Sequence, residues 1–268
     1  MKTKEQKKSK KISISAGIII LFCGIAAFSF FYYVCGNPDL FDDKGHPIDG
    51  NLFGTLYMGG FVIPVIITLL FTVLALSIER TFALSKAKGT GNITKFVEGA
   101  KTMLENDDLN GARELCDKQK GSIANILRAA LVRYEDIDGT AELSNDAKAG
   151  LVAKEIEDAT SLELPVMEQN MATIATISTL GTLIGLFGTV LGMIKSFGAM
   201  GQEGAPDSTA LAVGISEALM NTALGIGTGA VAIISYGFYS GKIQDITNAV
   251  NEIGFAIGQT FTTRQLKK

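Results

Sequence analysis

A single carboxylate lies inside an otherwise apolar stretch of the sequence. Glu217 comes six residues into the run Leu211–Tyr239, which places it about 9 Å from the end of a straight helix. An acidic side chain at the centre of a membrane helix costs about 2.5–3.5 kcal/mol on insertion scales, and such residues mark ion or substrate pathways. Glu217 is therefore the first candidate for chemistry. The alternative is a carboxylate that reaches the membrane surface or makes one structural hydrogen bond.

Hydroxyl and amide side chains recur on the apolar runs around Glu217. Asn221 follows it by four residues, and Thr228 follows Asn221 by seven. Thr222 lies about 16 Å from the start of its run, and Thr189 lies about 12 Å before the end of the preceding run at Phe197. An antiparallel hairpin would therefore bring these two to comparable depth. Such a pair either lines a wet path for ions or joins the helices by a hydrogen bond worth about 0.6 kcal/mol. The spacing leaves both interpretations open.

Four glycines share one face of the stretch Leu180–Phe197, which belongs to the preceding run. They recur at alternating spacings of four and three, which aligns them along one stripe of a helix at about 100° per residue. Each glycine would destabilise a soluble helix by roughly 1 kcal/mol relative to alanine, whereas in a bilayer small residues let a second helix approach closely. The alternative is a membrane helix with scattered glycines. The predicted helix-packing residues are Gly181, Gly185, Gly188 and Gly192, with Gly225 on the following run.

The composition indicates that charges are segregated from the apolar runs. The chain has 268 residues, of which 47% are hydrophobic and 19% charged, with a mean hydropathy of +0.29. A net charge of −3 provides no basic field for nucleic acid. The 3 cysteines and the single histidine have neither disulfide nor metal-site spacing. With no P-loop or nucleophile elbow, we expect neither an enzyme, nor a cofactor, nor a metal site.

Four apolar runs are long enough to cross a bilayer, given about 1.5 Å per residue and a core of about 30 Å. The first run follows a lysine-rich start and does not end in a signal-peptidase cleavage motif, which indicates a retained signal anchor. The loops after the first and third runs are acidic, and basic residues cluster on the other side. The positive-inside rule therefore places both termini in the cytoplasm. The runs are Ile12–Val34, Leu56–Ile78, Met171–Phe197 and Leu211–Tyr239.

The segment between the second and third runs predicts a small helical domain. An amphipathic stripe indicates a helix over Ile93–Glu105, and another helix follows Gly121–Ser122. Two further helices each have a pair of candidate N-caps. These are Asp107 or Asp108 for the helix ending at Gln119, and Asn145 or Asp146 for the long helix that leads to the third run.

Two of the apolar runs resemble the ExbB/TolQ/MotA family of inner-membrane channel and motor subunits. The matching stretches are ATIxxxxxxIGLFGTVLGMIxxF at Ala175–Phe197 and GISEALMNTALG at Gly214–Gly225. The SIER end of the second run and the pattern around Ala112–Leu131 are also similar to ExbB. The similarity extends roughly from Leu56 to the C-terminus.

The resemblance implies roles for residues and partners. Glu217, Thr189 and Thr222 match the family's channel-lining glutamate and two threonines, and we group Thr182 and Asn221 with them as ion-path candidates. The family implies a pentamer around a dimer of a single-span ExbD- or TolR-like partner, whose helix carries an ion-binding aspartate. Proton flow then drives motion that is passed through the periplasm to an outer-membrane transporter, with a TonB-like protein as a further partner.

The predicted fold is therefore an all-α polytopic membrane protein with four transmembrane helices and a helical cytoplasmic domain between the second and third. The predicted segments are 1–55 (basic cytoplasmic N-terminus, signal-anchor helix and periplasmic loop), 56–80 (second transmembrane helix), 81–165 (helical cytoplasmic domain), 166–240 (channel-forming transmembrane hairpin) and 241–268 (cytoplasmic C-terminal helix).

The predicted function is that of an ExbB-like channel or stator subunit in the inner membrane. The apolar spans hold one buried glutamate, so a partner helix must supply the second carboxylate. The alternatives are a TolQ-like or MotA-like stator driven by H⁺ or Na⁺, and a non-conducting scaffold that gathers partner helices. The chain departs from the family by having Thr182 and Val231 where prolines are usual, and by its extra first run.

Overall fold

A computed structural model describes residues 16–42, 46–48, 50–106, 108–138, 144–200 and 208–266. These residues form nine α-helices, and their only β-structure is an isolated antiparallel bridge between Phe41 and Pro47. The all-α prediction is therefore confirmed. In chain order the helices are α1 (Ala16–Phe30), α2 (Leu52–Met58), α3 (Val62–Lys88), α4 (Ile93–Glu105), α5 (Leu109–Gln119), α6 (Gly121–Asp138), α7 (Asn145–Glu168), α8 (Met171–Met200) and α9 (Ser208–Leu266).

Four helical segments of the described chain are long and apolar enough to cross a membrane, and they contain α1, α3, α8 and α9. This confirms a polytopic membrane protein. The described part of the first span begins at Ala16 and continues beyond α1 as a wide π-helical turn, Phe31–Cys35. The predicted start of this span at Ile12 lies outside the described residues. The assignment of either membrane face to the cytoplasm stays a prediction.

The second span differs from the prediction at its start. The sequence predicts one helix over Leu56–Ile78, whereas the structure has α2, a turn at residues 59–61, and then α3. Gly60 favours this turn because its φ of +73° lies in a region that other residues rarely adopt. Pro64 falls in the first turn of α3, where a missing N–H removes no intrahelical hydrogen bond. The glycine turn, and not the proline, therefore interrupts the apolar run.

The fourth span continues beyond its predicted end. The sequence places this span at Leu211–Tyr239 and a separate helix over 241–268, but α9 runs unbroken from Ser208 to Leu266. Apolar residues recur at helical spacing beyond position 241, so the same helix acquires a second buried face. These buried residues are Ile243, Ile246, Val250, Ile253 and Ile257.

α4 and α5 begin where the sequence signals indicate. α4 has its predicted bounds. α5 begins after Asp108, whose carboxylate accepts a hydrogen bond from the main-chain N–H of Gly111 at 2.8 Å. This bond satisfies one of the amide donors that have no partner inside the first turn. The other candidate cap, Asp107, lies outside the described residues.

The N-cap of α7 is one residue earlier than predicted. Ser144, not Asn145 or Asp146, has the extended backbone of a cap, and its Oγ accepts a hydrogen bond from the N–H of Ala147 at 3.2 Å. Three consecutive polar residues make the choice ambiguous in the sequence. With Ser144 as the cap, Asp146 falls in the first turn, where its charge is favourable at the positive end of the helix dipole.

The described residues divide into two compact units. The first contains the chain up to Ser77 and the stretch Ala172–Tyr236. In this unit α1 packs on α3, and part of α9 packs against the same cluster. Its buried members are Ala27, Phe31, Cys35, Ile63 and Ile67, with Met220 and Leu224 partly buried beside them. The extra first helix is therefore packed into this unit.

The second unit contains Ile78–Met171 and the chain from Gly237 onward. Its core is built by α4 to α7 together with the C-terminal part of α9. Large buried members of this core are Leu104, Ile123, Leu127, Leu131, Tyr134, Val250 and Ile257. The location of this unit in the cytoplasm and the five segment bounds stay predictions.

Arg80 is a buried cation of the second unit, with 2% of its surface exposed. Its guanidinium donates hydrogen bonds to the main-chain oxygens of Val166 at 3.3 Å and Met167 at 3.0 Å. A third bond joins its Nε to the carboxylate of Glu79 at 2.6 Å. The last carbonyls of a helix have no intrahelical partner and attract a cation. The arginine of the SIER motif thus ties the end of α7 to α3.

Cys116 is fully buried in the second unit, and burial raises the pKa of its thiol to about 11. Because the thiolate is the reactive form, we expect an impermeant maleimide at about pH 7.5 to leave Cys116 unmodified in the folded chain. Lys118, whose side chain is 78% exposed, is a better reporter position. In a chain without Cys23 and Cys35, Lys118→Cys should be modified in inverted membrane vesicles and not in intact cells.

The same chain with Lys118 unchanged is the control, and it should react only after unfolding in denaturant. Modification of Lys118→Cys from outside intact cells would contradict the predicted cytoplasmic location of this unit. Rapid modification of folded Cys116 would contradict its burial.

Candidate ion-path site

The hairpin of α8 and α9 is held together by direct contact between their backbones. A Cβ at Gly185 would lie 2.9 Å from the main-chain oxygen of Asn221 and 3.0 Å from the Cα of Gly225. A Cβ at Gly192 would lie 2.8 Å from the main-chain oxygen of Gly214. These distances are shorter than side-chain contacts allow, so only glycine fits. The five predicted packing glycines all lie in this contact, and the helix they meet belongs to the same chain.

Thr189 and Thr222 meet across this hairpin, and their hydroxyl groups share a hydrogen bond. The hydroxyl of Thr189 also lies 3.2 Å from the main-chain oxygen of Gly185 and 3.3 Å from that of Ala218. Two hydroxyl groups carry two protons, and one of these occupies the bond between them. When Thr222 donates to Thr189, the proton of Thr189 points to a carbonyl oxygen. When Thr189 donates to Thr222, the proton of Thr222 points away from the pair. The pair therefore has two proton arrangements, which is what a relay requires.

Thr182 lies seven residues before Thr189, which places it on nearly the same side of α8. It is exposed, and its hydroxyl oxygen is 2.8 Å from where a Cβ of Gly229 would be. Thr182 therefore touches α9, at a point separate from the Thr189–Thr222 pair. The three threonines form a broken line of hydroxyl groups along the hairpin.

Asn221 lies inside the hairpin, where its amide packs against Gly188. A Cβ at Gly188 would lie 2.6 Å from the Cβ of Asn221 and 2.9 Å from its Nδ2. Neither polar atom of the Asn221 side chain, nor the hydroxyl of Thr228, has a hydrogen-bond partner among the described residues. Both residues are buried. Asn221 therefore belongs to the interior of the hairpin, whereas Thr189 and Thr222 are half-buried.

Glu217 has two close neighbours that the sequence argument missed. Its Oε2 accepts a hydrogen bond from Nζ of Lys195 at 2.8 Å. Its Oε1 would lie 2.4 Å from a Cβ at Gly60, which means that the carboxylate touches the turn between α2 and α3. The Glu217 side chain is 11% exposed and that of Lys195 is 64% exposed. The candidate carboxylate is therefore buried between a glycine turn and one cation.

A sequence signal existed for Lys195 but not for Gly60. Once Thr189 pairs with Thr222 in an antiparallel hairpin, a position six residues later on α8 faces a position about six residues earlier on α9. This register brings Lys195 next to Glu217. Gly60 comes from a different part of the chain, and its approach to Glu217 depends on the packing of three helices.

The fold and the site define a polytopic membrane protein with a carboxylate and a hydroxyl pair on one helical hairpin. A model of the MotA/TolQ/ExbB proton channel family matches residues 118–252, which is half of the chain and includes α8 and most of α9. The chain belongs to this family.

Individual relatives match between 34% and 54% of the chain. The Tol-Pal system protein TolQ of Pseudomonas aeruginosa is 29% identical over 122 residues, which are 46% of this chain and 53% of that protein. TolQ of Haemophilus influenzae is 26% identical over 155 residues, or 54% of this chain and 67% of that protein. The biopolymer transport protein ExbB of Helicobacter pylori is 36% identical over 90 residues, or 34% and 60%. The chain thus spans about half the length of the Pseudomonas relative.

The backbone contact at Gly185 leads to the first prediction from this site. Gly185→Ala should push α8 from α9 and lower the midpoint of thermal unfolding, because the added methyl group meets main-chain atoms. Gly227→Ala is the matched control, since a Cβ at Gly227 has no neighbour within 4 Å. Thermal unfolding in detergent, with native mass spectrometry of the oligomer, compares the two. Equal midpoints would show that the hairpin tolerates separation.

The turn at Gly60 leads to a second prediction. Gly60→Ala combines a strained φ with a methyl group that displaces the Glu217 carboxylate. Gly50→Ala has the same strain, since φ of Gly50 is +82°, but its Cβ has no neighbour within 4 Å. Both variants should lose about 1 kcal/mol of stability from the strained backbone. We expect only Gly60→Ala to reduce ion-gradient-dependent transport per assembled complex, and equal activities of the two variants would contradict a role for this contact.

Proposed function

We propose that the chain is an ExbB-like channel and stator subunit of an inner-membrane motor, which uses the proton gradient with a single-span ExbD-like partner to energise outer-membrane transport. The observation that carries this proposal is the presence of Glu217 and the Thr189–Thr222 hydroxyl pair on one hairpin. Membership of a proton channel family supports the same class of function. We propose no enzymatic activity for the chain.

A proton that reaches Glu217 needs further groups to travel on. Thr222 lies five residues beyond Glu217 on α9, which is about 7.5 Å along the helix axis. A direct transfer between these side chains is too long for one hydrogen bond. Water or a group from a partner must bridge the gap, and the hydroxyl pair then carries the proton onward by exchanging its two arrangements.

The second carboxylate of the path is assigned in this proposal to a partner helix. Glu217 is the only carboxylate in the ranges Met171–Met200 and Ser208–Ser240. An ExbD- or TolR-like subunit with a membrane aspartate would supply the other. Apolar side chains exposed on the hairpin support contact with lipid and with further copies of the chain, and we propose that these copies form a pentamer. The exposed side chains are Leu186, Val190, Ile194, Leu219, Ile226 and Ile233. Both termini are proposed to be cytoplasmic, and a TonB-like protein is proposed to transmit the motion.

A TolQ-like role is the second candidate, because two of the relatives are Tol-Pal system proteins. The same carboxylate and hydroxyl groups serve both roles, so the membrane chemistry does not separate them. Co-purification of the chain with its single-span partner, followed by identification of the attached outer-envelope protein, separates the two. The substitutions described next also test the two remaining alternatives, which are a scaffold that conducts no ions and a MotA-like stator driven by Na⁺.

Substitutions in the proposed path test conduction. Glu217→Gln keeps the shape of the side chain and removes its charge, so it should assemble normally and abolish transport that depends on the ion gradient. Thr189→Val and Thr222→Val should each lower activity per assembled complex roughly two- to tenfold, since one hydrogen bond contributes about 0.5–1.5 kcal/mol. The measurement is gradient-dependent transport divided by the yield of the complex.

Thr176→Val is the matched control, because the hydroxyl of the exposed Thr176 donates a hydrogen bond to the main-chain oxygen of Ala172 in its own helix. If the hydroxyl pair serves only to join the helices, each valine variant should lose less than about 2 kcal/mol of stability. The yield of the complex should then fall, while the activity per complex stays unchanged. Full activity per complex in the glutamine variant and both valine variants would falsify the conduction proposal. Flux that follows Na⁺ instead of H⁺ would favour the MotA-like alternative.

A further inference from the structure

One oxygen atom of Glu217 is paired within its own chain, and the other lies against a turn of that chain. Oε2 accepts the hydrogen bond from Nζ of Lys195 at 2.8 Å, and Oε1 lies against Gly60. A cation that is to bind this carboxylate therefore meets a cation that is already there. The lysine belongs to α8 and the glutamate to α9, so the ion pair also bridges the two helices near the end of the hairpin at which the chain passes from α8 to α9.

The two partners differ in their freedom to move. The Glu217 side chain is 11% exposed, whereas that of Lys195 is 64% exposed. A lysine has a flexible stem of four carbon atoms and keeps its ammonium group near water, so it can swing away without unfolding the helix. The carboxylate is confined by the glycine turn. Exchange at this site consequently means departure of the lysine, not of the glutamate.

The glycine turn lies just before the start of α3. The N–H groups of Gly59 and Gly60 donate to the main-chain oxygens of Leu56 and Tyr57. The start of a helix carries a partial positive charge, which attracts an anionic side chain beside it. Glu217 thus lies between a lysine and the N-terminal turn of a helix of 27 residues. The site is arranged to hold a carboxylate with a replaceable counter-ion.

We propose that Lys195 is a tethered counter-cation, which occupies Glu217 in the partner-free subunit and is displaced when an ion binds the carboxylate. Lys195 is thus a positioning residue that restrains ion leak, and its displacement couples occupancy of Glu217 to the outer end of α8. This inference rests on the proposed function of Glu217 in the ion path. The alternative is that the ion pair has no effect on ion leak, as is common for an ion pair with one exposed partner.

The test uses the full chain without its partner, in vesicles of phosphatidylethanolamine and phosphatidylglycerol that contain a pH-sensitive dye. An imposed potassium diffusion potential drives proton entry. Lys195→Met should raise the proton leak roughly two- to fivefold, the bias that a partly exposed ion pair can exert. Lys195→Arg keeps the charge and should restore the wild-type rate. Lys195→Met combined with Glu217→Gln should return the leak to that of Glu217→Gln alone.

Lys242→Met is the matched control, since Lys242 is a lysine of α9 that stacks over Phe238 and has no part in the pair. It should leave the leak unchanged. Lys195→Gln is a second neutral variant, and native mass spectrometry establishes that each variant assembles before its leak is compared.

Three results would overturn the inference. These are a wild-type leak in both neutral variants, a leak in Lys195→Arg as large as in Lys195→Met, and a raised leak that persists after Glu217→Gln is added. If Glu217→Gln abolishes gradient-dependent transport while neutral Lys195 variants do not leak, only the inference fails. If Glu217→Gln transports normally, the proposed function fails and the inference with it.

Discussion

The close approach of the α8 and α9 backbones is the constraint on which the candidate site depends. In a bilayer, lipid tails are as apolar as leucine side chains, so helices associate through packing and hydrogen bonds. Glycine at Gly181, Gly185 and Gly192 lets the two backbones come into contact. Only at this separation can hydroxyl groups as short as those of Thr189 and Thr222 meet. A longer distance would leave each threonine bonded to its own helix, as Thr176 is.

The same register gives the hairpin a graded polarity. Its interior holds Asn221 and Thr228, which are buried and have no hydrogen-bond partner among the described residues. Its edge has the half-buried hydroxyl pair, and nearer the end of α8 it has Glu217 with the exposed Lys195. Buried polar groups without partners are costly in a low dielectric, so they are rarely kept without a use.

Much of this arrangement followed from the sequence because it depends on local periodicity. The glycine spacing predicted the packing face, the depth of the threonines predicted their meeting, and the amphipathic stripe predicted α4 with its bounds. The features that the sequence does not predict depend on packing between distant segments. The helix break at Gly60 and its contact with Glu217 join parts of the chain more than 150 residues apart. The unbroken α9 follows from burial of Ile243 and its neighbours, which no local signal distinguishes from a new helix.

The departures from the family pattern change where the backbone is irregular. Family members usually have proline at the positions of Thr182 and Val231, but here both lie in continuous helices and keep their N–H groups for the helical ladder. In this chain the irregular backbone near the carboxylate is the turn before α3, where Gly60 touches Glu217. Irregular backbone is tolerated at membrane depth where it lies against protein or a polar cavity. The glycine turn therefore places an irregular stretch of backbone against Glu217, whereas the two positions that carry proline in the family are regular helix in this chain.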